Sequence, residues 1–312
     1  MKIVVTGGLG FMGSAFIRNV LKSDNSINLI NIDKMSYAAN KNNVKEVEEL
    51  DNYHFFAIDI RFIETLRDEL DNVDWIINFA AESHVDNSIL DPDPFIASNI
   101  VGTHELLKFA MKKDIKILQI STDEVYGSLK EGYANEDMIL NPSSPYSASK
   151  ASADMLINGY HKTYGLKTII IRSCNNYGEY QHPEKLIPKT ILNGINNVSI
   201  PIYGNGINMR EWIYVNDFVE AVKFLMNKGK FGEIYNVSTN KSLTNLQVVQ
   251  TILKILNKDN TQIEYVEDRK GHDFRYAMET KKLKELGWNK KWTAFDKGIA
   301  NTVNWYLNNR AW

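Results

Sequence analysis

One cysteine, Cys174, stands in 312 residues. A lone cysteine excludes an internal disulfide framework and suits a reducing compartment, so a cytoplasmic chain is expected. No apolar run is long enough to span a bilayer, and Met-Lys-Ile-Val-Val-Thr-Gly at the start reads as a core strand rather than a leader. A net charge of −2 lacks the basic excess that a nucleic-acid partner demands. The six histidines show no metal-ligand spacing, so no metal site is expected. Internal repeats and low-complexity tracts are absent too. What remains is an ordinary globular composition, 44% apolar and 24% charged, with room for one large domain or two unequal ones.

The first informative stretch is Gly7-Gly8-Leu9-Gly10-Phe11-Met12-Gly13, between the apolar run 3–5 and the amphipathic run 14–22. Gly7, Gly10 and Gly13 let a phosphate approach bare backbone, and the helix opened by Phe11 and Met12 offers it N–H groups and a positive dipole end. About twenty residues further on, the apolar run 27–32 ends in Asp33, whose carboxylate can accept hydrogen bonds from both ribose hydroxyls of an adenosine. Taken together, the unit predicts a dinucleotide, and Asp33 favours NAD over NADP.

Short apolar runs at 3–5, 29–32, 54–58, 75–79, 117–120 and 168–171 alternate with helical patterns, among them 63–70, 103–112 and 147–164. This alternation predicts buried parallel strands with crossover helices, hence an α/β doubly wound sheet. Composition changes after about residue 173. Residues 175–188 read as a long loop rich in Tyr, Asn, Gly and Pro, followed by strands at 200–203 and 234–237 and helices at 216–227, 244–256 and 296–308. The expected organisation is a dinucleotide domain over 1–173, to which segments within 210–240 return, and a smaller α/β substrate domain over 174–312.

Tyr-x-x-x-Lys occurs three times, at Tyr37–Lys41, Tyr126–Lys130 and Tyr146–Lys150. Only Tyr146 follows a proline and opens a long helix, which puts Lys150 one turn later on the same face. An ammonium beside a phenol lowers the phenol pKa and makes the phenolate a usable base for an alcohol. Thr122, Asp123 and Glu124 stand consecutively after a predicted central strand. Thr122 supplies a hydroxyl to orient a substrate oxygen. Two adjacent acids raise each other's pKa, so one can stay protonated while the other is ionised; the pair can deliver a proton to a leaving hydroxyl and take one from carbon. A solvated acidic turn is the bland alternative.

Ser-Thr-Asp-Glu-Val-Tyr-Gly (121–127), Pro-Tyr-Ser-Ala-Ser-Lys-Ala-Ser-Ala-Asp (145–154), Ala-Ala-Glu-Ser-His-Val-Asp (80–86) and Asn-Asn-Tyr-Gly-x-Tyr-Gln (175–181) resemble the nucleotide-sugar 4,6-dehydratases, a branch of the extended short-chain dehydrogenases with a Rossmann fold. The resemblance runs nearly end to end. It implies NAD, a nucleoside-diphosphate glucose substrate and a three-stage reaction: oxidation at C4, loss of water across C5 and C6, reduction at C6. Tyr146 and Lys150 would serve the oxidation, Glu124 would take the C5 proton and Asp123 would protonate the departing hydroxyl. Asp59, Ile60, Ala80 and Ala81 would complete the NAD site. Ser83 and Thr122 would meet the glucosyl hydroxyls, with Asn175 and Arg210 at the diphosphate and Lys185, Leu186, Tyr203, Asn245, Arg269 and His272 at the nucleotide end. The resemblance also implies a homodimer through a four-helix bundle of 103–112 and 147–164. Two positions depart from the family pattern: Asn87, where Arg is usual in the thymidine-nucleotide enzymes, and Glu179, where Pro is usual. They leave thymidine against uridine open.

Overall fold

The computed structural model describes residues 1–310. In chain order the elements are β1 (Lys2–Thr6), α1 (Phe11–Ser23), β2 (Asn28–Ile32), β3 (Tyr53–Phe56), β4 (Trp75–Asn78), α2 (Val85–Leu90), α3 (Asp93–Phe95), α4 (Thr103–Lys113), β5 (Lys116–Thr122) and α5 (Pro145–Tyr164). They continue with β6 (Thr168–Ser173), β7 (Asn175–Tyr177), α6 (Leu186–Asn196), β8 (Ile200–Tyr203), β9 (Met209–Tyr214), α7 (Val215–Lys228), β10 (Glu233–Val237), β11 (Ser242–Thr244), α8 (Asn245–Ile255), β12 (Ile263–Val266), α9 (Lys281–Glu285) and α10 (Phe295–Asn308).

Seven strands pair in the order β10-β6-β5-β4-β1-β2-β3, every pair parallel. Nearly continuous apolar runs produce this, because a strand covered on both faces has no position for a polar side chain to reach water. Ile3 and Val5 face a layer containing Phe16 of α1 and Phe218 of α7, while Val4 faces a layer containing Leu107 of α4 and Ile157 of α5. The doubly wound class expected from the sequence is therefore present. The strand order reverses between β1 and β4, which opens a crevice at their carboxyl ends. The chain after β6 returns α7 and β10 to this sheet. The rest forms a three-stranded sheet, β11-β9-β7, and a two-stranded one, β12-β8. Ile191 of α6, Trp212 of β9, Ile252 of α8 and Val303 of α10 share a core beside them.

Two local readings are corrected. Residues 63–70 are not an α-helix: a 3-10 segment spans Ile60–Leu66, kinked at Phe62, with Asp59 accepting from Arg61 N at its start, and turns follow. The stretch 175–188 is not one loop, since β7 occupies its beginning and α6 starts at Leu186. Helix α4 continues a π-helical turn, Ile96–Gly102, which the apolar spacing does not reveal.

The glycine turn is set by close backbone approach. Gly7 has φ of +69°, and a Cβ there would lie 2.6 Å from Ala80 N; at Gly13 it would lie 2.4 Å from Gly7 O. Gly132 has a similar φ of +71°, but a Cβ there would meet nothing within 4 Å. Gly132→Ala is expected to cost about 1 kcal/mol and Gly7→Ala about 2–3 kcal/mol. Thermal denaturation of the two variants checks this, and equal losses of Tm would contradict the role given to close approach.

Candidate active site

The glycine turn, the ends of β2 and β4, and the segment after β5 line one cleft, together with residues of β7 and of the segment between β7 and α6. Gly7, Gly10, Phe11, Met12, Gly13, Asp33, Asp59, Ile60, Ala80 and Ala81 all lie on it. Helix α1 starts at this cleft with no side-chain cap and no acid in its first turn, so its leading N–H groups are available to an anion. Asp33 is buried at the end of β2. Its Oδ2 accepts from Leu9 N at 3.0 Å and its Oδ1 from Met35 N at 2.8 Å, which fixes the carboxylate and leaves a second lone pair on each oxygen. These residues fit a dinucleotide with a free ribose diol.

The acids lie on the same cleft. Thr122 closes β5, and its hydroxyl accepts from Glu124 N at 3.2 Å, capping the 3-10 turn Asp123–Tyr126. The same hydroxyl donates to Asp123 Oδ1 at 3.1 Å, whereas Asp123 Oδ2 is buried with no partner. Burial pushes the Asp123 carboxyl well above its ordinary pKa, and the neighbouring Glu124 charge adds to this. Glu124 is also raised by burial, against the pull of the Arg210, Arg269 and Lys185 cations. Burial thus raises both adjacent acids, while nearby cations oppose the shift.

Tyr146 and Lys150 reach the same place from α5, which begins at a capping box between Ser144 and Ser147. Their relation differs from the sequence expectation. Lys150 Nζ donates to the Ile120 carbonyl at 2.6 Å, and burial lowers its pKa to about 8 while Asp154 opposes the shift. The Tyr146 phenol is buried near Thr122 and the acids. Burial and the Glu124 charge push its pKa up, not down. The ammonium is spent on a strand carbonyl, so the protein alone keeps the phenol protonated.

Among the expected substrate residues, Ser83, Thr122, Asn175 and Lys185 line the cleft, with Lys185 Nζ donating to the Ser83 carbonyl at 2.8 Å. Tyr203, Arg269 and His272 gather beyond it: the Tyr203 hydroxyl donates to Asp86 at 3.1 Å, Arg269 lies 3.7 Å from the same carboxylate, and the Tyr203 and His272 rings meet edge to face. The buried Arg269 Nε has no partner. Arg210 donates to the carbonyls of Met209, Asp273 and Phe274 and lies over the Tyr276 ring at 4.2 Å, so its guanidinium acts on the acids as a fixed charge. Leu186 instead packs into the core of the smaller sheets, and Asn245 opens α8 with its N–H on the Asn208 carbonyl. Neither side chain is on the cleft.

A family model described as GDP-mannose 4,6 dehydratase matches residues 4–302. The chain is 46% identical over 98% of its length to the low-salt glycan biosynthesis protein Agl12 of Haloferax volcanii, covering 99% of that protein. It is 42% identical over its whole length to a dTDP-glucose 4,6-dehydratase of Escherichia coli, covering 95% of it. The crystal structure of the dTDP-glucose 4,6-dehydratase DesIV from Streptomyces venezuelae, with NAD and dTDP bound, superposes with a TM-score of 0.97 at 42% identity, covering 100% of this chain and 98% of that one. The chain belongs to the nucleotide-sugar 4,6-dehydratase family.

Within this dehydratase-family fold, several residues carry no signal in the sequence. Asn99 sits in the π-helical turn, accepts from Glu82 N at 2.9 Å and donates to the Glu82 carbonyl at 3.0 Å and the Ser149 hydroxyl at 2.8 Å. It therefore ties the segment carrying Ala81 and Ser83 to the helix carrying Tyr146. Lys34 pairs with Glu82 on the wall of the cleft, and Cys174, Gln181, His182 and Glu184 also line it. An asparagine in an amphipathic run announces nothing of this kind. Among the described residues, no His, Cys, Asp and Glu cluster could hold a metal.

Burial and the acid pair hold Tyr146 above an ordinary tyrosine value of 10.0. Ultraviolet titration of the cofactor-free protein is therefore expected to give the same tyrosinate signal for Tyr146→Phe as for the parent up to about pH 10. A titration near neutrality that disappears in Tyr146→Phe would show that Lys150 governs the phenol directly.

Proposed function

We propose that the chain is a dTDP-glucose 4,6-dehydratase that uses NAD to make the 4-keto-6-deoxy sugar for deoxysugar synthesis of the rhamnose type. One observation carries this reading. Asp123, buried, and Glu124, half-buried, sit together just after β5, both with pKa values raised by desolvation, beside Tyr146. An enzyme that only oxidises and re-reduces a sugar alcohol needs Tyr146, Lys150 and Thr122, and has no task for two acids. Full-length similarity to dTDP-glucose dehydratases supports the thymidine nucleotide over the uridine one.

Gly7, Gly10, Gly13 and the α1 N-terminus would hold the pyrophosphate of NAD, Asp33 its adenosine ribose, and Asp59, Ile60, Ala80 and Ala81 its adenine side. NAD held there would supply a hydride acceptor for C4, a hydride donor for C6 and a positive charge that favours the Tyr146 phenolate. Thr122 orients the 4-hydroxyl, and Tyr146 takes its proton. The resulting 4-keto group acidifies C5. Glu124 removes the C5 proton while Asp123, held protonated by burial, gives its proton to the departing C6 hydroxyl. The proton on Glu124 then returns to C5. Lys185 and Asn175 would contact the diphosphate, Arg269, Tyr203 and His272 the nucleoside, with Ser83 on the glucosyl hydroxyls. Arg210 would act on phosphate through charge. Residues 174–312, apart from α7 and β10, would form the nucleotide-sugar-binding part.

Exposed Met111 on α4 and Met155 and Tyr164 on α5 support a homodimer that pairs these helices. Among the described residues no helix is long and apolar enough to cross a membrane, and the buried Cys174 thiol suits a cytoplasmic enzyme.

Turnover of dTDP-glucose, followed by the alkali-induced absorbance of the 4-keto-6-deoxy product, tests the reading, with UDP-glucose expected to be the poorer substrate. Glu124→Gln and Asp123→Asn are expected to slow dehydration by about 10²–10⁴-fold while still reducing the bound dinucleotide. Tyr146→Phe is expected to block that reduction. Near-normal dehydration by Glu124→Gln would remove Glu124 as the C5 base.

A further inference from the structure

Behind Lys150 lies a buried ion pair for which the chemistry above has no use. Asp154 stands one turn beyond Lys150 on α5 and is 0% exposed; Arg172 of β6 is 2% exposed. Arg172 Nε donates to Asp154 Oδ2 at 2.9 Å. The same guanidinium donates to the Tyr126 hydroxyl at 2.9 Å and the Glu136 carbonyl at 3.3 Å, and lies 4.8 Å from the Tyr126 ring centroid. The Tyr126 hydroxyl in turn donates to Asn236 Oδ1 at 2.8 Å. Asn236, on β10, is fixed by its N–H on Glu136 Oε1 at 2.9 Å and its Nδ2 on the Ala134 carbonyl at 3.0 Å. Tyr126 is the last residue of the 3-10 turn that begins with Asp123 and Glu124. A continuous polar chain therefore joins the Lys150 helix, through β6, to the acid turn.

A buried ion pair contributes little net stability against well-packed apolar side chains, because both ions lose their hydration. This one joins α5 to β6, and Arg172 goes on through the Tyr126 hydroxyl to the turn that carries the acids. We infer that Asp154 and Arg172 are positioning residues for the dehydration: Asp154 faces Lys150 with a compensating charge, and Arg172, through Tyr126, holds the Asp123–Glu124 turn in register with α5. The inference rests on the dehydratase reading. The titratable and charged groups around Lys150 are Tyr146 and Asp154 on its own helix, Arg172 on β6 by way of Asp154, Asp123 and Glu124 on the turn after β5, and Glu82, which is paired with Lys34. Of these, Asp154 favours the charged lysine.

The two ends of the chain serve different steps, so they separate in experiment. Turnover of dTDP-glucose by the parent enzyme decides the dehydratase reading first and alone. The pH dependence of dinucleotide reduction is then measured in Glu124→Gln, where elimination is stalled, with and without Asp154→Asn. Loss of the Asp154 charge lets Lys150 deprotonate at lower pH, and the alkaline limb is expected to move down by about one unit or more. Tyr126→Phe keeps the ring and removes both hydroxyl bonds; dinucleotide reduction is expected unchanged, with elimination about tenfold slower. An unmoved limb in Asp154→Asn, or equal slowing of both steps in Tyr126→Phe, overturns the inference. Should Asp154→Asn fail to fold, the Tyr126→Phe result decides alone.

Discussion

Loss of water around charge at the carboxyl end of β5 is the constraint on which the rest of the site depends. Asp123, Lys150 and Asp154 are each less than a tenth exposed, and an uncompensated ion there would cost several kcal/mol. Each group answers the constraint differently. Asp154 is matched by Arg172, Lys150 by a strand carbonyl and the Asp154 charge, and at Asp123 burial pushes the carboxyl well above its ordinary pKa. Glu124 is balanced at a distance by Arg210, Arg269 and Lys185. The same desolvation that threatens stability raises the pKa of both adjacent carboxyls.

The sheet makes this arrangement possible. Register between β5 and β6 runs from Ile117 opposite Thr168 to Thr122 opposite Ser173, so the strand ends that carry the acid turn and Arg172 are fixed relative to each other by consecutive ladder pairs. Helix α5 packs against both strands and the turn, with Lys150 bonded to the β5 carbonyl of Ile120 and Asp154 to Arg172 of β6. The glycine turn after β1 lies two strands away in the same sheet. One rigid layer therefore holds the nucleotide cradle and the acids at a fixed spacing, which suits a dinucleotide that takes a hydride from one carbon and returns it to another of the same sugar.

Much of this is legible in the sequence because it is local. The glycine spacing, Asp33 at the end of an apolar run, and Thr122-Asp123-Glu124 after another are each set by a few consecutive residues. Alternating apolar runs also reveal the sheet. What stays hidden depends on pairing across the chain. Nothing near Arg172 announces Asp154, and nothing near Asn99 announces Glu82 or Ser149. The helical spacing puts Lys150 on the correct face, yet its ammonium goes to the Ile120 carbonyl, because a buried cation takes the nearest strong acceptor. The helix expected over 63–70 fails for a smaller reason: Asp59 caps a 3-10 turn and the chain kinks at Phe62.

A site built this way should keep its dinucleotide in place while a hydride leaves one carbon of the sugar and returns to another. Incubating dTDP-glucose deuterated at C4 together with unlabelled substrate, and reading the product by mass spectrometry and NMR, puts that to the test. Deuterium is predicted at C6 of those molecules that began with it at C4, with no crossover to unlabelled sugar. Loss of the label to solvent or to added free NAD, or its random distribution between the two products, would contradict a resident dinucleotide.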